Sequence, residues 1–169
     1  MDEVHFQQHG SRCRMWVPPE VKDPVLLHAW THKTIGYWGA VRLRDGKLVY
    51  RREEGTFEGP TCAAFLGQFY RASTRSPRRV VVISDNASYH HSRCHKEWRA
   101  ERTKRFELSF LPAASPDLNP IERVWKLTRR RAVHNQYFPT LQSIAEAVES
   151  TFDDWADPNE TLRRLCAIH

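Results

Sequence analysis

The chain has 169 residues, a net charge of +6 at pH 7 and a hydrophobic content of 40%, with a mean hydropathy of −0.65. This length suits one domain with its own core and is too short for two typical domains. No apolar run approaches the roughly 20 residues that a membrane helix needs, and the polar start MDEVHFQQHG lacks the apolar stretch of a signal peptide. We therefore expect a soluble cytoplasmic protein.

The first third of the sequence predicts an antiparallel meander of strands. Four segments read as strands: residues 2–8, 13–17, 25–32 and 35–43. The last two are rich in β-branched, aromatic and aliphatic residues, which favour strands. The pair Asp45-Gly46 is a hairpin signal that leads into a further strand, KLVYRR.

Helices and strands alternate in the rest of the sequence. Helices are predicted at residues 60–73, 91–104, 120–133 and 140–156, with a short one in the tail. The continuous apolar run at 80–84 is typical of a strand covered on both faces, and 106–111 predicts another. This order predicts an α/β fold with a mixed central sheet, in which the meander comes first. Because no repeat or long linker divides residues 1–169, we expect a single domain.

The positive charge is grouped along the sequence. One group precedes the strand at 80–84, and the other lies along the helix at 120–133. They are Arg71, Arg75, Arg78 and Arg79, and Arg123, Lys126, Arg129, Arg130 and Arg131. Such grouping is the electrostatic footprint expected of a phosphate-binding surface, and a solvated basic face is its common alternative.

Asp85 directly follows the predicted strand at 80–84. In open α/β sheets, ligand sites gather at the carboxyl ends of strands, where an Asp can hold a divalent cation. Alternatively, Asp85 and Asn86 only shape a turn or cap the next helix. From this feature alone, the structural role is favoured.

Glu122 lies in the first turn of a predicted helix and has two explanations. With Asn119 as the N-cap and Pro120 at the first helical position, Glu122 completes a capping box. It can also pair with Lys126 one turn later. Alternatively, the helix start directs the Glu122 carboxylate towards Asp85 to form a metal site. Taken alone, the capping explanation is favoured.

Two further groups of side chains could bind metal. Asp2 and Glu3 lie on the first predicted strand, although solvated charge is the default for such a pair. His90, His91, Cys94 and His95 are a dense set of possible zinc ligands. Because their spacing fits no zinc pattern and no second ligand pair follows, a zinc-dependent binding module is the weaker hypothesis.

Two segments resemble motifs of DDE transposases. SDNASYHH, at residues 84–91, is similar to the family's D-N-x-x-x-H segment. LPAASPDLNPIERVW, at 111–125, is similar to its long and specific L-P-x-x-S-P-x-L-N-P-I-E-x-x-W segment. The start, DEVHFQQHGSRCRMWVPP, resembles the family's D-E-x-x-F segment and the strand that follows it. The likeness extends over nearly the whole chain and is to the bacterial insertion sequence 630 branch of the mariner-like superfamily.

The resemblance implies an RNase H-like fold and metal-dependent DNA strand cleavage and strand transfer. The catalytic and metal-binding residues would be Asp2, Asp85 and Glu122, supported by Asn86, His90 and Asn119. The family uses two magnesium or manganese ions, one to activate water or a DNA 3′-hydroxyl and one to stabilise the leaving oxygen. Carboxylate oxygens suit these ions better than zinc. The basic helix with Arg123, Lys126, Arg129, Arg130 and Arg131 would contact DNA at transposon ends and target.

The sequence departs from the family in two respects. Family members usually carry helix-turn-helix DNA-binding domains before the catalytic domain, and we find none in residues 1–169. The family's first strand begins several residues before its Asp, whereas Asp2 is almost the first residue, so we expect a shortened strand. The implied partners are DNA, a separate DNA-binding chain and a second copy, in a bacterial, nucleoid-associated location. The alternative function is a catalytically impaired transposase remnant that only binds DNA non-specifically.

Overall fold

The structure, a computed structural model, describes residues 1–22, 24–74, 77–113 and 115–168. Arg75 of the first basic group lies outside them. The strands are β1 (Asp2–Gln7), β2 (Thr34–Val41), β3 (Leu48–Glu53), β4 (Val80–Ser84) and β5 (Phe106–Phe110). The α-helices are α1 (Gly59–Ser73), α2 (Lys96–Ala100), α3 (Ile121–Thr128), α4 (Leu141–Asp153) and α5 (Glu160–Leu165). Within the described residues, no helix is long and apolar enough to cross a membrane.

The strands form an antiparallel set and a parallel set that meet at the start of β1. β1, β2 and β3 pair antiparallel in sequence order, with Asp2 opposite Gly39. β4 and β5 pair parallel. The backbone nitrogen of Met1 donates to the Ile83 carbonyl at 2.6 Å, and the Ser84 hydroxyl donates to the Met1 carbonyl at 3.4 Å. These bonds bring the start of β1 beside the end of β4, which is the mixed α/β order expected from the sequence.

The hairpin between β2 and β3 needs glycine at its turn. Gly46 has a φ of +73°, in the left-handed region that favours glycine. A Cβ at this position would lie 2.0 Å from the Asn159 carbonyl oxygen. The predicted Asp45-Gly46 turn is therefore confirmed, and the same turn packs closely against the start of α5.

Two buried hydrophobic clusters cover the two faces of the antiparallel sheet. One contains Val4, Phe6 and Tyr37 of the sheet and packs against α3, α4 and α5, with Trp125 and Phe152 at its centre. The other contains Trp38 and Ala40 and packs against α1, β4 and β5. Since side chains alternate along a strand, neighbouring residues of β2 such as Tyr37 and Trp38 belong to different clusters.

The predicted strands at 13–17 and 25–32 are wrong. The connection between β1 and β2 contains no strand in its described part, and the only bridge there joins Ser11 to His134. Trp16 and Trp30 are almost fully exposed, at 102% and 97%. Apolar and β-branched residues favour a strand only where a partner strand and a covered face exist, and this connection has neither.

Two predicted helices are also altered. The segment expected as a helix at 91–104 begins with the last residue of one 3-10 turn, Ser88–His91, and contains a second, Arg93–His95, before the short α2. The helix predicted at 120–133 is α3 followed by a wider π turn at Arg129–Val133. The helix begins at Ile121, one residue after the predicted start, and its first turn carries Glu122.

Candidate active site

One cavity of about 310 Å³ brings the three predicted carboxylates together. Asp2 begins β1, Asp85 follows β4 and Glu122 lies in the first turn of α3. The cavity wall also includes Asn86, Ala87, Leu111, Pro112, Ala113, Ser115 and Asn119. The long Pro-containing segment between β5 and α3 therefore forms one side of the cavity, and the ends of β1 and β4 form the other.

Asp2 is the most buried of the three carboxylates, with only 5% of its surface exposed. Burial, with the nearby charges of Glu3 and Glu122, raises the pKa of Asp2 to about 8. A charged Asp2 is thus costly in this position without a compensating cation. A bound divalent cation would offset the repulsion between the Asp2 carboxylate and the carboxylates of Glu3 and Glu122.

Asp85 is held through one of its two oxygens. Its side chain is 47% exposed, and Oδ1 accepts the Ala87 backbone N–H at 3.3 Å. The same Oδ1 lies 3.1 Å from Nε2 of His90, within ion-pair distance, although that nitrogen makes no directed hydrogen bond. Among the described residues, Oδ2 has no hydrogen-bond partner, so it is the oxygen left for a ligand.

The start of α3 corrects the capping explanation for Glu122. Pro120, not Asn119, is the N-cap, with φ −60° and ψ −26°, and no side chain caps the helix. Because Pro120 is already helical, the Glu122 backbone N–H bonds to the Asn119 carbonyl at 3.1 Å, in a tight first turn. In the described parts of the chain there is also no ion pair between Glu122 and Lys126. The capping box is wrong, and Glu122 is left facing the cavity.

The donor set fits a hard divalent cation. All three acidic side chains offer carboxylate oxygens, and Asn119, which lines the same cavity, has a buried amide Oδ1 without a hydrogen-bond partner among the described residues. Oxygen donors of this kind suit Mg²⁺ and Mn²⁺. Among residues 1–22, 24–74, 77–113 and 115–168, however, no three His, Cys, Asp or Glu side chains already surround a single metal position. The carboxylates share a cavity without forming a closed cage.

A second layer of buried polar groups lies behind Asp85. The Tyr89 hydroxyl donates to Glu3 Oε1, and Glu3 Oε2 lies 4.0 Å from His90 Nε2. His90 Nδ1 lies 3.5 Å from the Cys62 sulfur. Burial lowers the pKa of His90 to about 4, although the neighbouring Asp85 opposes that shift. The sequence singled out His90 but gave no role to Tyr89 or Cys62, since nothing in the spacing connects them to this site.

The His and Cys side chains of residues 90–95 do not converge. His91 stacks on Phe110 with ring centroids 4.1 Å apart. His95 Nε2 bonds to the Tyr89 carbonyl oxygen at 2.9 Å. The Cys94 sulfur accepts a hydrogen bond from the Ser92 hydroxyl at 3.1 Å. Because these side chains turn to different partners, the described structure offers no support for the zinc hypothesis.

Asn86 connects the two loops that form the cavity. Its side-chain nitrogen donates to the Leu111 carbonyl, just after β5. Its Oδ1 lies 3.3 Å from His91 Nε2, in the turn after β4. Asn86 therefore fixes the loop that carries Asp85 against the loop that leads to Glu122.

The basic helix is partly engaged in internal contacts. Arg123 donates to the Leu165 and Ala167 carbonyls at 3.0 and 3.1 Å. The guanidinium of Arg129 lies 5.6 Å from the Phe6 ring, and that of Arg131 lies 5.5 Å from the Trp155 ring. Lys126 and Arg130 are exposed, and within the described residues their side chains make no hydrogen bond or ion pair. These two are thus the members of the group that are most available to phosphates.

A second cavity of about 310 Å³ lies apart from the carboxylates. It is lined largely by the end of β2 and by β4, including Val41, Leu43 and Val81. Asn119 borders both cavities. Since none of the three carboxylates lines this second space, we do not assign it to the candidate site.

Residues 1–145 match the DDE superfamily endonuclease family. The chain is also similar to the Tc3 transposable element transposase of Caenorhabditis elegans, with 35% identity over 172 residues, covering 97% of this chain and 50% of that protein. It is 37% identical over 83 residues to the Tcb2 transposase of Caenorhabditis briggsae, covering 46% of this chain and 30% of that protein. The chain thus spans at most about half the length of these curated relatives.

The fold is similar to that of the Mos1 transposase. The Mos1 strand transfer complex aligns with a TM-score of 0.68 and 22% identity, covering 98% of this chain and 49% of that one. The Mos1 paired end complexes with Mn and with Mg align with TM-scores of 0.66 and 0.65, at 18% and 19% identity. They cover 98% of this chain and 50% and 52% of those chains. This likeness confirms the predicted RNase H-like α/β fold.

Proposed function

Because the chain belongs to the DDE superfamily endonucleases, we propose that it is a transposase catalytic domain that cleaves DNA strands and joins them to a target. The observation that carries this proposal is the single cavity lined by Asp2, Asp85 and Glu122. Three separate elements deliver these carboxylates, so their meeting is a property of the fold rather than of local sequence. The Tc3 relative supports the same activity.

We propose that the carboxylates of Asp2, Asp85 and Glu122 hold two Mg²⁺ or Mn²⁺ ions. Such ions, when bound, activate a water or 3′-hydroxyl and stabilise the leaving oxygen of an in-line displacement. The Mos1 complexes with Mn and Mg support this choice. Asn119, Asn86 and His90 have supporting roles: Asn119 offers its buried amide oxygen to the cavity, Asn86 ties the loops and His90 contacts Asp85.

DNA is the proposed macromolecular partner. The +6 net charge and the exposed Lys126 and Arg130 favour a polyanion, and Arg123, Arg129 and Arg131 extend the same basic surface. The Mos1 paired end complex supports DNA ends as the partner, and we propose a homodimer as the assembly that would hold a pair of them. A separate DNA-binding chain would supply recognition of the element ends.

We further propose that the chain belongs to the insertion sequence 630 branch of the mariner-like superfamily. The segments SDNASYHH and LPAASPDLNPIERVW support the insertion sequence 630 branch, and that branch implies a bacterial protein acting at the nucleoid. The family match and the shared cavity disfavour the alternative of a remnant that only binds DNA. A direct assay of DNA cleavage separates the two.

The test is nicking of a supercoiled plasmid in Mg²⁺ or Mn²⁺. Wild-type protein should produce nicked circles only with a divalent ion, and Asp85→Asn and Glu122→Gln should abolish them. The matched control is Asp117→Asn, because Asp117 is an exposed carboxylate of the same Pro-containing segment that does not line the cavity. A folded wild-type protein that shifts DNA in a gel but never nicks it would instead support the binding-only remnant.

A further inference from the structure

A buried thiol and imidazole, Cys62 and His90, lie directly behind the Asp85 carboxylate. We propose that they are positioning residues for Asp85. In this arrangement Cys62 fixes His90 in the tautomer that carries hydrogen on Nε2, and that N–H holds Asp85 Oδ1 so that Oδ2 remains for a cation. The inference rests on the proposed function of Asp85 and extends it to a second layer of the site.

The surroundings of His90 Nε2 favour a hydrogen on that atom. His90 is fully buried, and Nε2 lies 3.1 Å from Asp85 Oδ1 and 4.0 Å from Glu3 Oε2. Ionised carboxylate oxygens only accept hydrogen bonds, so a bare nitrogen facing both would be repelled. In this structure Nε2 meets hydrogen-bond geometry with neither oxygen, and Asp85 Oδ1 is the nearer of the two, so the proposed bond to Asp85 requires a reorientation of the ring or of the carboxylate.

Cys62 determines whether the opposite ring nitrogen, Nδ1, carries a hydrogen or accepts one. Nδ1 of His90 lies 3.5 Å from the Cys62 sulfur, and both groups are fully buried. Burial raises the pKa of the Cys62 thiol to about 12, so the sulfur keeps its hydrogen and can donate it to Nδ1. A neutral imidazole carries one donor and one acceptor nitrogen. A donor at Nδ1 therefore leaves the ring hydrogen on Nε2, where Asp85 needs it.

The ring is also restrained by aromatic neighbours. The Tyr89 ring lies 4.8 Å from the His90 ring, at 76° between planes. The Trp38 ring lies 5.8 Å away, at 67°. Since Tyr89 itself bonds to Glu3 through its hydroxyl, the orientation of the imidazole depends on β1, β2 and the turn after β4 together. Asp85, which is half exposed, gains its order from this rigid support.

The first test reads the tautomer directly by ¹⁵N NMR of the His90 ring, in the absence of added metal. We expect the Nε2–H form in the wild type and in Cys62→Ser, whose hydroxyl still donates. Cys62→Ala removes the donor and should give a mixture of the two tautomers. An Nδ1–H ring in the wild type, or an unchanged ring in Cys62→Ala, overturns the proposal.

The second test measures Mn²⁺ binding by calorimetry with the same variants. Partners behind a metal ligand typically change metal affinity by about 10-fold or more. We expect Cys62→Ala to bind Mn²⁺ about 10-fold more weakly and Cys62→Ser to restore wild-type affinity. Thermal unfolding of each variant separates this effect from a loss of fold, since a merely structural thiol would alter stability without altering the tautomer.

The two proposals fail in different ways. If wild-type protein binds no Mn²⁺ and does not nick DNA, the proposed function is overturned, and with it the role of Asp85 Oδ2. If it binds Mn²⁺ and nicks DNA while Cys62→Ala retains full affinity and an unchanged ring, only the positioning role is overturned. If the affinity and the tautomer change together and recover in Cys62→Ser, both proposals are supported.

Discussion

The two faces of the antiparallel sheet place their parts of the candidate site by different means. On the face covered by α3, apolar packing fixes Glu122: the Trp125 ring and Ile121 lie directly against Gly39 of β2. On the face covered by α1, buried polar groups support Asp85 through His90, Glu3 and Cys62. Packing alone is enough to fix a carboxylate on a rigid helix, whereas a carboxylate on a loop after a strand needs polar partners.

Asp2 and Glu3, which are neighbours in β1, lie on opposite faces of the sheet, so the two faces can be compared within one strand. Asp2 lines the cavity with Glu122, and Glu3 accepts the Tyr89 hydroxyl on the other face. We expect Asp2→Asn to reduce DNA nicking on the order of 1,000-fold, because a charge-stabilising ligand worth several kcal/mol is lost. Glu3→Gln should reduce it only about 10-fold, as for a residue behind the ligands. Plasmid-nicking rates check both; equal losses would remove the distinction between the faces.

The pH dependence of cation binding should be the next largest effect. Protons compete with the cation for Asp2, whose pKa is raised to about 8 by burial and by Glu3 and Glu122. Below pH 8, we expect Mn²⁺ affinity to fall by up to about 10-fold per pH unit. Calorimetry between pH 6 and 9 measures this, and a flat affinity below pH 8 would contradict it.

Without metal, the raised pKa of Asp2 has the opposite effect: low pH weakens cation binding but stabilises the folded protein. Since the folded pKa of Asp2 exceeds the unfolded value of 3.8, protonated Asp2 stabilises the fold. This contribution is complete below about pH 4 and is lost as the pH rises through 8. We expect Asp2→Asn to become progressively more stable relative to wild type over that range, as measured by urea unfolding.

Two glycines of β2 test the packing on each face. A Cβ on Gly39 would lie 2.3 Å from the Trp125 ring, and one on Gly36 would lie 2.8 Å from the half-buried Phe57 ring. We expect Gly39→Ala to cost about 2–3 kcal/mol of unfolding free energy, and to lower nicking through displacement of α3. Gly36→Ala should cost about 1–2 kcal/mol and spare nicking, because the Phe57 ring can move and the Glu53 carbonyl oxygen, 3.1 Å away, needs only a small shift. Equal loss of nicking in both would argue against control of Glu122 by α3 packing.

The smallest predicted effect concerns the basic helix. Lys126→Ala and Arg130→Ala should each weaken binding to duplex DNA modestly and reduce the slope of log affinity against log salt by about 0.9. Arg163→Ala is the control, since the Arg163 guanidinium is already paired with Glu160 at 2.5 Å. Fluorescence anisotropy over a salt series gives the slopes. Unchanged slopes at Lys126 and Arg130 would place DNA elsewhere.

The sequence predicted the site better than it predicted the connections. Asp85 and Glu122 taken alone favoured structural roles, and the resemblance to DDE transposase motifs named the three carboxylates that line one cavity. The Cys62–His90 contact could not be foreseen, since it joins residues from α1 and the turn after β4. The expected Asn119 cap failed because Pro120 already has helical angles. The expected strands at 13–17 and 25–32 failed because strand-forming residues need a partner strand.

The exposed connection between β1 and β2 has a practical consequence for β1. All six residues of β1 pair with β2, from Asp2 opposite Gly39 to Gln7 opposite Thr34, and β1 also contributes Val4 and Phe6 to the core. A protease cut beside the exposed Trp16 or Trp30 would leave this strand bound without a covalent link. A synthetic peptide of residues 1–16 could therefore replace the strand that carries Asp2, and its reassembly with the rest of the domain would allow unnatural side chains to be installed there.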